Sequence, residues 1–305
     1  MIKFLSFRLT TSLIALVGVM IIVFFLARLT GSPASLYLPV DATDAMIRAF
    51  NQQNGLDQPI LVQFVHFVGN VFRLDFGQSL SQQRPASEAV LSAMPQTLLI
   101  AAIAMGLTLL LSIPLGTFAA LKPNSPLDRA ITFFSLVTSS IPEFWFALVC
   151  VLVFSVNLGL LPTSGQGSLA SWVLPVATLM LHPLGVLTQV VRGAMLETIN
   201  AGYVQNARAR GYSWQRLAFR HALRNASLPI ITVAGDRAGG MLNGAVIVSA
   251  VFAWPGIGQV LVAAVYNRDF AVIQAGVFVV GIAVILLNIL VDLIYAAADP
   301  RIRIS

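Results

Sequence analysis

The chain has 305 residues, of which 57% are hydrophobic and only 10% are charged. Because a soluble globular domain carries about 25% charged residues, this composition excludes a soluble enzyme or binding module and indicates a multi-pass membrane protein. The net charge of +6 does not indicate nucleic-acid binding, since the basic residues lie in short loops between apolar segments, which is typical of membrane topology.

Six apolar segments are long enough to cross a bilayer as helices, which takes about 20 residues each. The first follows two basic residues, as in a signal peptide, but it is too long and lacks a small-x-small cleavage site. We therefore predict an uncleaved span. The predicted fold is all-α with six transmembrane helices, at 9–29, 96–121, 131–156, 172–191, 227–250 and 273–297.

Most Lys and Arg residues fall on one side of the membrane in this arrangement, and the number of crossings is even. Since basic loops are retained in the cytoplasm, we predict that both termini are cytoplasmic. The predicted domains are an N-terminal span (1–30), an external excursion (31–95), a five-span domain (96–297) containing a cytoplasmic loop (192–226), and a cytoplasmic tail (298–305).

The external excursion is predicted to contain two short amphipathic helices, near 42–54 and 58–73. Asn54-Gly55 and Asp57-Gln58-Pro59 are typical turn sequences and separate the two helices. At the other end of the chain, Pro255-Gly256 follows Trp254 and predicts a tight turn between the last two spans. We regard Trp254, Pro255 and Gly256 as a candidate external gate.

The cytoplasmic loop holds a cluster of arginines in an otherwise apolar chain. Gly211 is predicted to end one helix and Ser213 to begin the next. This second helix has a basic stripe formed by Arg216, Arg220 and Arg224, and a separate, mostly apolar stripe. We expect the apolar stripe to bind either lipid headgroups or a groove on a partner protein. Its members are Trp214, Leu217, Ala218, His221 and Ala222.

Charged and amide side chains lie within the last two spans, namely Asp236, Arg237, Asn243, Asn288 and Asp292. A charge at the centre of a membrane helix costs about 2.5–3.5 kcal/mol, so these residues are not expected to face lipid without compensation. Two interpretations remain open. Arg237 could form an ion pair within the bundle, for instance with Asp292, or these residues could line a polar translocation path.

Motifs for catalysis and for cofactor binding are missing from the sequence. There is no G-x-x-x-x-G-K-[ST] phosphate loop, no G-x-S-x-G, and no His or Cys spacing typical of a metal site. The single cysteine, Cys150, excludes an internal disulfide. We therefore predict a chain that is no enzyme and binds no metal or cofactor of its own.

The run YVQNARARGYSWQRLAFRHALRNASLP resembles the cytoplasmic coupling loop of type I ABC-transporter permeases of the dipeptide, oligopeptide and nickel subgroup. Ala207, Ala209 and Gly211 occupy the A-x-A-x-G of that loop, although Gln205 and Asn206 stand where the general motif has a glutamate. Further matches include GLDQP at 55–59, DFGQS at 75–79, FAWPGIG at 252–258 and DLIYAAADPRIR at 292–303. The resemblance covers nearly the whole chain.

The resemblance implies a subunit of an importer in the bacterial cytoplasmic (inner) membrane. The implied partners are a homologous second permease, two ABC ATPase subunits that bind ATP and Mg²⁺, an external solute-binding protein and the lipid bilayer, with no nucleic acid. The excursion is implied to be the docking surface for the solute-binding protein. The residues implied to couple this chain to the ATPases are Tyr203, Ala207, Ala209, Gly211, Ser213, Trp214 and Leu217.

The function implied by the resemblance is to form half of a translocation path for dipeptides, oligopeptides or similar small peptide-like solutes. Import of nickel or a metal chelate is an alternative within the same subgroup. A stand-alone ion-coupled carrier or channel is an alternative from another class, and many carriers contain inverted repeats. We find no such repeat in the sequence.

Overall fold

The computed structural model describes residues 2–29, 31–39, 41–202, 204, 206, 211–213 and 217–298, and within these residues it contains helices and no β-strand. Two π-helical segments, Val151–Asn157 and Leu217–Ala222, continue or precede α-helices. The α-helices are α1 (Ile2–Leu29), α2 (Ala34–Tyr37), α3 (Asp44–Gln53), α4 (Ile60–Phe72), α5 (Ala86–Leu121), α6 (Pro126–Ser140), α7 (Glu143–Cys150), α8 (Ala170–Ile199), α9 (Leu223–Val251), α10 (Ile257–Tyr266) and α11 (Phe270–Ala298).

The helices predicted in the external excursion are confirmed as α3 and α4. The Thr43 hydroxyl caps α3 by accepting a hydrogen bond from the Met46 N–H at 3.4 Å. Gly55, in the predicted turn, has a φ of +62°. Such a φ is open to glycine at little cost because it has no Cβ.

The predicted span 131–156 is broken in the structure. It forms α6 and, after Ile141-Pro142, α7 with its π-helical extension, and the two parts meet at an angle of 101°. Ile141 is extended, with φ −83° and ψ 126°, because the ring of a following proline disfavours helical geometry in the residue before it. Hydropathy alone could not show this bend, since both halves are apolar.

Helix α10 and the length of α5 were not predicted. Helix α5 begins at Ala86, ten residues before the predicted span, and its 36 residues extend over about 54 Å at 1.5 Å per residue. Helix α10 lies between the predicted turn and the last span. It has only ten residues, too few to be recognised as a span because a crossing takes about 20.

Within the part of the chain that the structure describes, four helices are long and apolar enough to cross a membrane, or five if the bent pair is one span. The four are Thr10–Leu29, Ala86–Leu121, Ala170–Ile199 and Phe270–Ile294. Helix α9, which covers the predicted span 227–250, is 29 residues long but carries Asp236 and Arg237 near its middle. It is not among the four.

The chain divides into two compact units. One comprises Thr97–Trp254 and the residues from Leu286 onward, and the other comprises Ile2–Gln96 and Pro255–Ile285. In the first unit, α8 packs against α6, α7 and α9. Gly185 of α8 lies so close to Ser135 of α6 that a Cβ at this position would overlap its carbonyl oxygen, as is typical of membrane helices packed through small residues.

In the second unit, the buried carboxylate of Asp269 joins the loop before α5 to the start of α11. Its Oδ2 accepts hydrogen bonds from Ser79 Oγ at 2.7 Å, from Ser81 Oγ at 2.8 Å and from the Ser81 N–H at 3.0 Å. These three hydrogen bonds offset the free-energy cost of burying the charged Asp269 carboxylate. Nearby, burial raises the pKa of the Tyr37 hydroxyl, and the negative charge of Asp269 adds to this effect.

Candidate functional site

Three of the five residues of the apolar stripe, Leu217, Ala218 and Ala222, pack inside this chain. Each of the three is at most 1% exposed. Ala218 and Ala222 belong to a core cluster with Val191 and Met195 of α8. The prediction that this stripe binds lipid or a partner groove is therefore wrong for these three residues. Side chains of α8 already fill the space beside Ala218 and Ala222, so these residues are not available to a partner.

The segment Gly211–Ser213 is exposed, as are Gly202, Asn206 and Phe219 among the other described residues of the loop. Gly211 has a φ of +87°, a conformation that favours glycine. The carbonyl of Ser213 accepts a hydrogen bond from the Leu217 N–H at 2.9 Å, as expected for the first turn of a helix. Tyr212, which sequence reasoning did not select, exposes 41% of its surface. The other predicted coupling residues, Tyr203, Ala207, Ala209 and Trp214, lie outside the described residues.

A buried ion pair lies beside this loop. Arg192 of α8 donates from Nε to Asp128 Oδ1 at 2.6 Å and from Nη2 to Asp128 Oδ2 at 2.8 Å. Asp128 is 2% exposed and also accepts a hydrogen bond from the Asn124 N–H. The Ser125 hydroxyl caps α6 by accepting from the Asp128 N–H. The pair therefore fixes the beginning of α6 to the C-terminal half of α8. In the sequence, the S-x-x-D spacing of Ser125 and Asp128 indicates the start of α6 but not the ion pair with Arg192.

Helix α9 has one continuous exposed face. Its members recur at intervals of three or four residues, so they lie along one side of the helix. Most of them are polar or small: Asn225, Pro229, Thr232, Asp236, Gly240, Asn243, Ile247 and Ala250 are all exposed. The opposite face of α9 is buried in the unit, where Gly235 approaches Val291 and Gly244 approaches Leu179. We call the eight exposed residues the polar stripe.

The two charges predicted in this span lie at and beside the polar stripe. The Asp236 side chain is 72% exposed and that of Arg237 is 36% exposed, and Arg237 Nη2 lies 3.5 Å from Asp236 Oδ2. The ion pair seen for Arg237 is therefore with its sequence neighbour. Asn288 and Asp292 of α11 are partly buried, and the Asn288 amide oxygen faces Gly239.

The bend between α6 and α7 faces the buried side of α9. Glu143, the first residue of α7, is half-buried, and a side chain at Gly244 would collide with it. His182 of α8 lies with its Nδ1 3.0 Å from the carbonyl oxygen of Ser139. This contact satisfies a carbonyl in the last turn of α6 that the helix itself leaves without a partner.

The turn proposed as an external gate combines a buried aromatic residue with a strained backbone. Trp254 is completely buried against Trp172, with ring centroids 4.5 Å apart and an edge-to-face angle of 77°. Ala253 has a φ of 47°, which is unfavourable for a residue with a Cβ. Pro255 is exposed and Gly256 is buried. Gly256 is the residue before α10.

In the described residues, no three His, Cys, Asp or Glu side chains lie close enough together to hold a metal ion. The polar side chains are instead distributed along helices. Such an arrangement can bind and guide a solute by hydrogen bonds and charge.

Two family profiles together match almost the whole chain. Residues 112–304 match the family described as binding-protein-dependent transport system inner membrane component. Residues 1–101 match a profile for the N-terminal part of the membrane component of such systems.

Several relatives are similar over nearly their full length. The oligopeptide transport system permease protein AppB of Bacillus subtilis is 35% identical, with 97% of this chain and 98% of the relative covered. The glutathione transport system permease protein GsiC of Salmonella choleraesuis is 36% identical, with 99% of each chain covered. The di/tripeptide transport system permease protein DppB of Pseudomonas aeruginosa is 35% identical, also with 99% of each covered.

Solved structures of ABC transporters share the fold. The inward-facing methionine transporter MetNI matches with a TM-score of 0.57 at 17% identity, and the match covers 69% of this chain and 96% of the other. An amino acid ABC transporter solved with histidines matches with a TM-score of 0.53 at 16% identity, covering 68% of this chain and 92% of the other.

Proposed function

Because the chain belongs to the family of binding-protein-dependent transport system inner membrane components, we propose that it is a permease subunit of an ATP-driven importer of peptides. Its family, recognised from the sequence, is confirmed. The observation that carries the proposal is the similarity of 35–36% identity, over nearly full length, to relatives named for oligopeptides, glutathione and di/tripeptides. The solute is accordingly a dipeptide, an oligopeptide or a similar peptide-like molecule.

The polar stripe of α9 supports a role as half of a translocation path. Asp236 would be costly against lipid, since a charge at the centre of a membrane helix costs about 2.5–3.5 kcal/mol. Covering the stripe with the matching face of a homologous second permease would leave a polar passage between the two chains. Asp236, Arg237 and Asn243 would meet the solute there, and Asn288 and Asp292 would support the wall from α11.

Six spans with both termini in the cytoplasm remain our proposed topology. The bent pair α6 and α7 would count as one span, and α9, long enough at 29 residues, would be the span stabilised by the partner subunit rather than by lipid. This arrangement keeps the basic loops on one side of a bacterial inner membrane.

ATP hydrolysis belongs to separate subunits in this proposal, with ATP and Mg²⁺ bound there. Two ATPase subunits would contact the cytoplasmic loop at the exposed segment Gly211–Ser213 and at Tyr203, Ala207, Ala209 and Trp214. The buried Leu217 would transmit movement into α8 rather than touch the ATPase. An external solute-binding protein would deliver the solute to the excursion and to the gate formed by Trp254, Pro255 and Gly256.

The test is uptake by the complete complex reconstituted in liposomes with its ATPase and solute-binding subunits. Radiolabelled dialanine, tetra-alanine, glutathione and nickel ions would be offered with ATP or with a non-hydrolysable analogue inside. ATP-dependent accumulation of a peptide supports the proposal. Accumulation of nickel alone would reassign the solute, whereas peptide uptake driven by an ion gradient without ATP would exclude an ABC importer.

A further inference from the structure

Helix α4 of the external excursion is apolar but largely uncovered. It has 13 residues, too few to cross a bilayer as a helix, and Phe67 is its only buried residue. An apolar helix of this length is typically part of a protein core or lies in a membrane interface. The exposure of α4 excludes the first alternative for most of its surface.

The exposed residues of α4 lie on two sides of the helix. Leu61, Val65 and Phe72 are spaced by four and seven residues, so they share one side, and they are 68%, 69% and 86% exposed. We call these three residues the α4 apolar face. His66 and Asn70 are also exposed. They lie on another side, because neighbouring residues of a helix point about 100° apart.

Helix α4 packs against the end of the first span, within the same compact unit. The Phe24 ring of α1 lies 5.3 Å from that of Phe64 and 5.1 Å from that of Phe67, and Phe25 stacks on Phe64 at 5.5 Å. The apolar stretch of α1 is Thr10–Leu29. Phe24 therefore lies about 7.5 Å along the axis from the end of this stretch.

This position is the depth of an interfacial helix. Amphipathic helices in the plane of a membrane bury their apolar face about 5–10 Å into the boundary between headgroups and acyl chains. Ile22 and Leu26 of α1 are 58% and 55% exposed, and lipid covers them if α1 is a span. The α4 apolar face is more exposed than these two residues. A protein partner would have to enter the membrane surface to cover it, whereas lipid is already at this depth.

We propose that α4 is an interfacial membrane helix that lies in the plane of the external membrane surface. Leu61, Val65 and Phe72 would insert among the lipids, and His66 and Asn70 would face water. The inference goes beyond the proposed transport function and rests on one part of it, namely that α1 spans the membrane. A helix held in this way would keep the excursion at a fixed height above the bilayer.

The test measures the depth of α4 in the purified permease complex, reconstituted in phosphatidylcholine nanodiscs without the solute-binding protein. A fluorescent label is attached to Val65→Cys or, as the matched control on the polar side, to Asn70→Cys, in a chain without Cys150. Lipids brominated near the headgroup end of their acyl chains should remove about half or more of the fluorescence at Val65, because this residue lies at that depth. Iodide in the water should quench the label at Asn70 and not the one at Val65.

Labels on Leu61→Cys and Phe72→Cys test the orientation of the helix. The two positions are about 16 Å apart along the axis, yet a helix in the membrane plane holds both at one depth. Brominated lipids should therefore quench both labels equally. One label in the acyl region and the other in water would show that α4 stands along the span and would overturn the proposal.

Quenching of the Val65 label by iodide rather than by lipid would also contradict the proposal. Protection of this label from both quenchers would mean that another subunit covers the face. Iodide quenching that disappears when the solute-binding protein is added would assign the face to that protein, and either result rejects the lipid contact. ATP-driven peptide uptake by each labelled variant shows that the complex is intact and separates failure of this proposal from failure of the transport function.

Discussion

Arg192 donates from two of its nitrogens to the two carboxylate oxygens of Asp128, at 2.6 and 2.8 Å. This bidentate geometry joins the start of α6 to α8, directly beside the loop that the proposed ATPases contact. A coupling loop requires a rigid connection between helices at this point. Only then does a force applied to the loop move whole helices rather than deform a flexible end.

We expect Asp128→Asn to destabilise the complex by about 3 kcal/mol, because it leaves Arg192 partly buried without its counter-charge. Arg192→Lys should retain the charge but lose the bidentate contact, and should therefore destabilise the complex less than Asp128→Asn does. Thermal unfolding of the purified complex measures both changes. The exposed Glu197→Gln on the same helix is the control, and equal melting temperatures for Asp128→Asn and Glu197→Gln would show that the pair contributes nothing.

The two sides of the cytoplasmic loop should respond differently to substitution. Leu217→Asp places a charge in the core cluster beside α8 and should cost about 3 kcal/mol or more, so little folded chain should be recovered. Tyr212→Ala, on the exposed side, should leave the fold intact and reduce the amount of ATPase that co-purifies. Size-exclusion chromatography with subunit quantification distinguishes these outcomes. Normal ATPase recovery with Tyr212→Ala would place the contact elsewhere.

Arg237→Gln should change which solutes are transported. If the polar stripe lines the path, removing one charge leaves assembly and ATPase stimulation intact but alters the relative uptake of acidic, neutral and basic dipeptides. Ser227→Ala, on another side of α9, is the matched control. An uptake profile identical to that of the wild type, from an intact complex, would argue against a path role for Arg237.

Asp269→Asn should loosen the loop before α5. The neutral amide weakens three charge-assisted hydrogen bonds, each worth about 1.5–3 kcal/mol, so amide hydrogen exchange at Ser79 and Ser81 should become faster. The exposed Asp57→Asn should have no such effect. Unchanged exchange at both serines would show that Asp269 is not needed to hold this loop.

Single cysteines placed in a variant without Cys150 test the topology. With both termini in the cytoplasm, cysteines at Ile60 and Ser164 should react with a membrane-impermeant reagent added outside intact cells, and those at Lys122 and Ser213 only after permeabilisation. Ser164 is used instead of Gly165, whose φ of +92° would strain any residue with a Cβ. Labelling of Ser213 from outside would reverse the proposed orientation.

The sequence predicted the helical class, the amphipathic helices α3 and α4 and the polar residues of α9, because each of these depends on local patterns of apolar and polar residues. It did not reveal the bend at Ile141-Pro142, since a proline in an apolar run is compatible with a kink or with a complete break. Nor did it locate the partner of Arg192, which is 64 residues away in the chain.

For the cytoplasmic loop, the sequence indicated the apolar face of the helix but not the surface that covers it. The spacing of Leu217, Ala218 and Ala222 correctly indicates that they share one face, but periodicity does not tell which surface covers that face. The structure shows that α8 of the same chain does so.

The polar stripe of α9 has a consequence for how the protein is made. A newly inserted chain that has not met its partner exposes Asp236 and its neighbours to the bilayer, at about 2.5–3.5 kcal/mol for a central charge. A chain in this state is expected to be a substrate for membrane proteases, whereas in the proposed assembly the second permease would cover the same face. The cellular half-life of this chain should therefore increase with the amount of the second permease. Neither subunit is then expected to accumulate unless the two are synthesised in equal amounts.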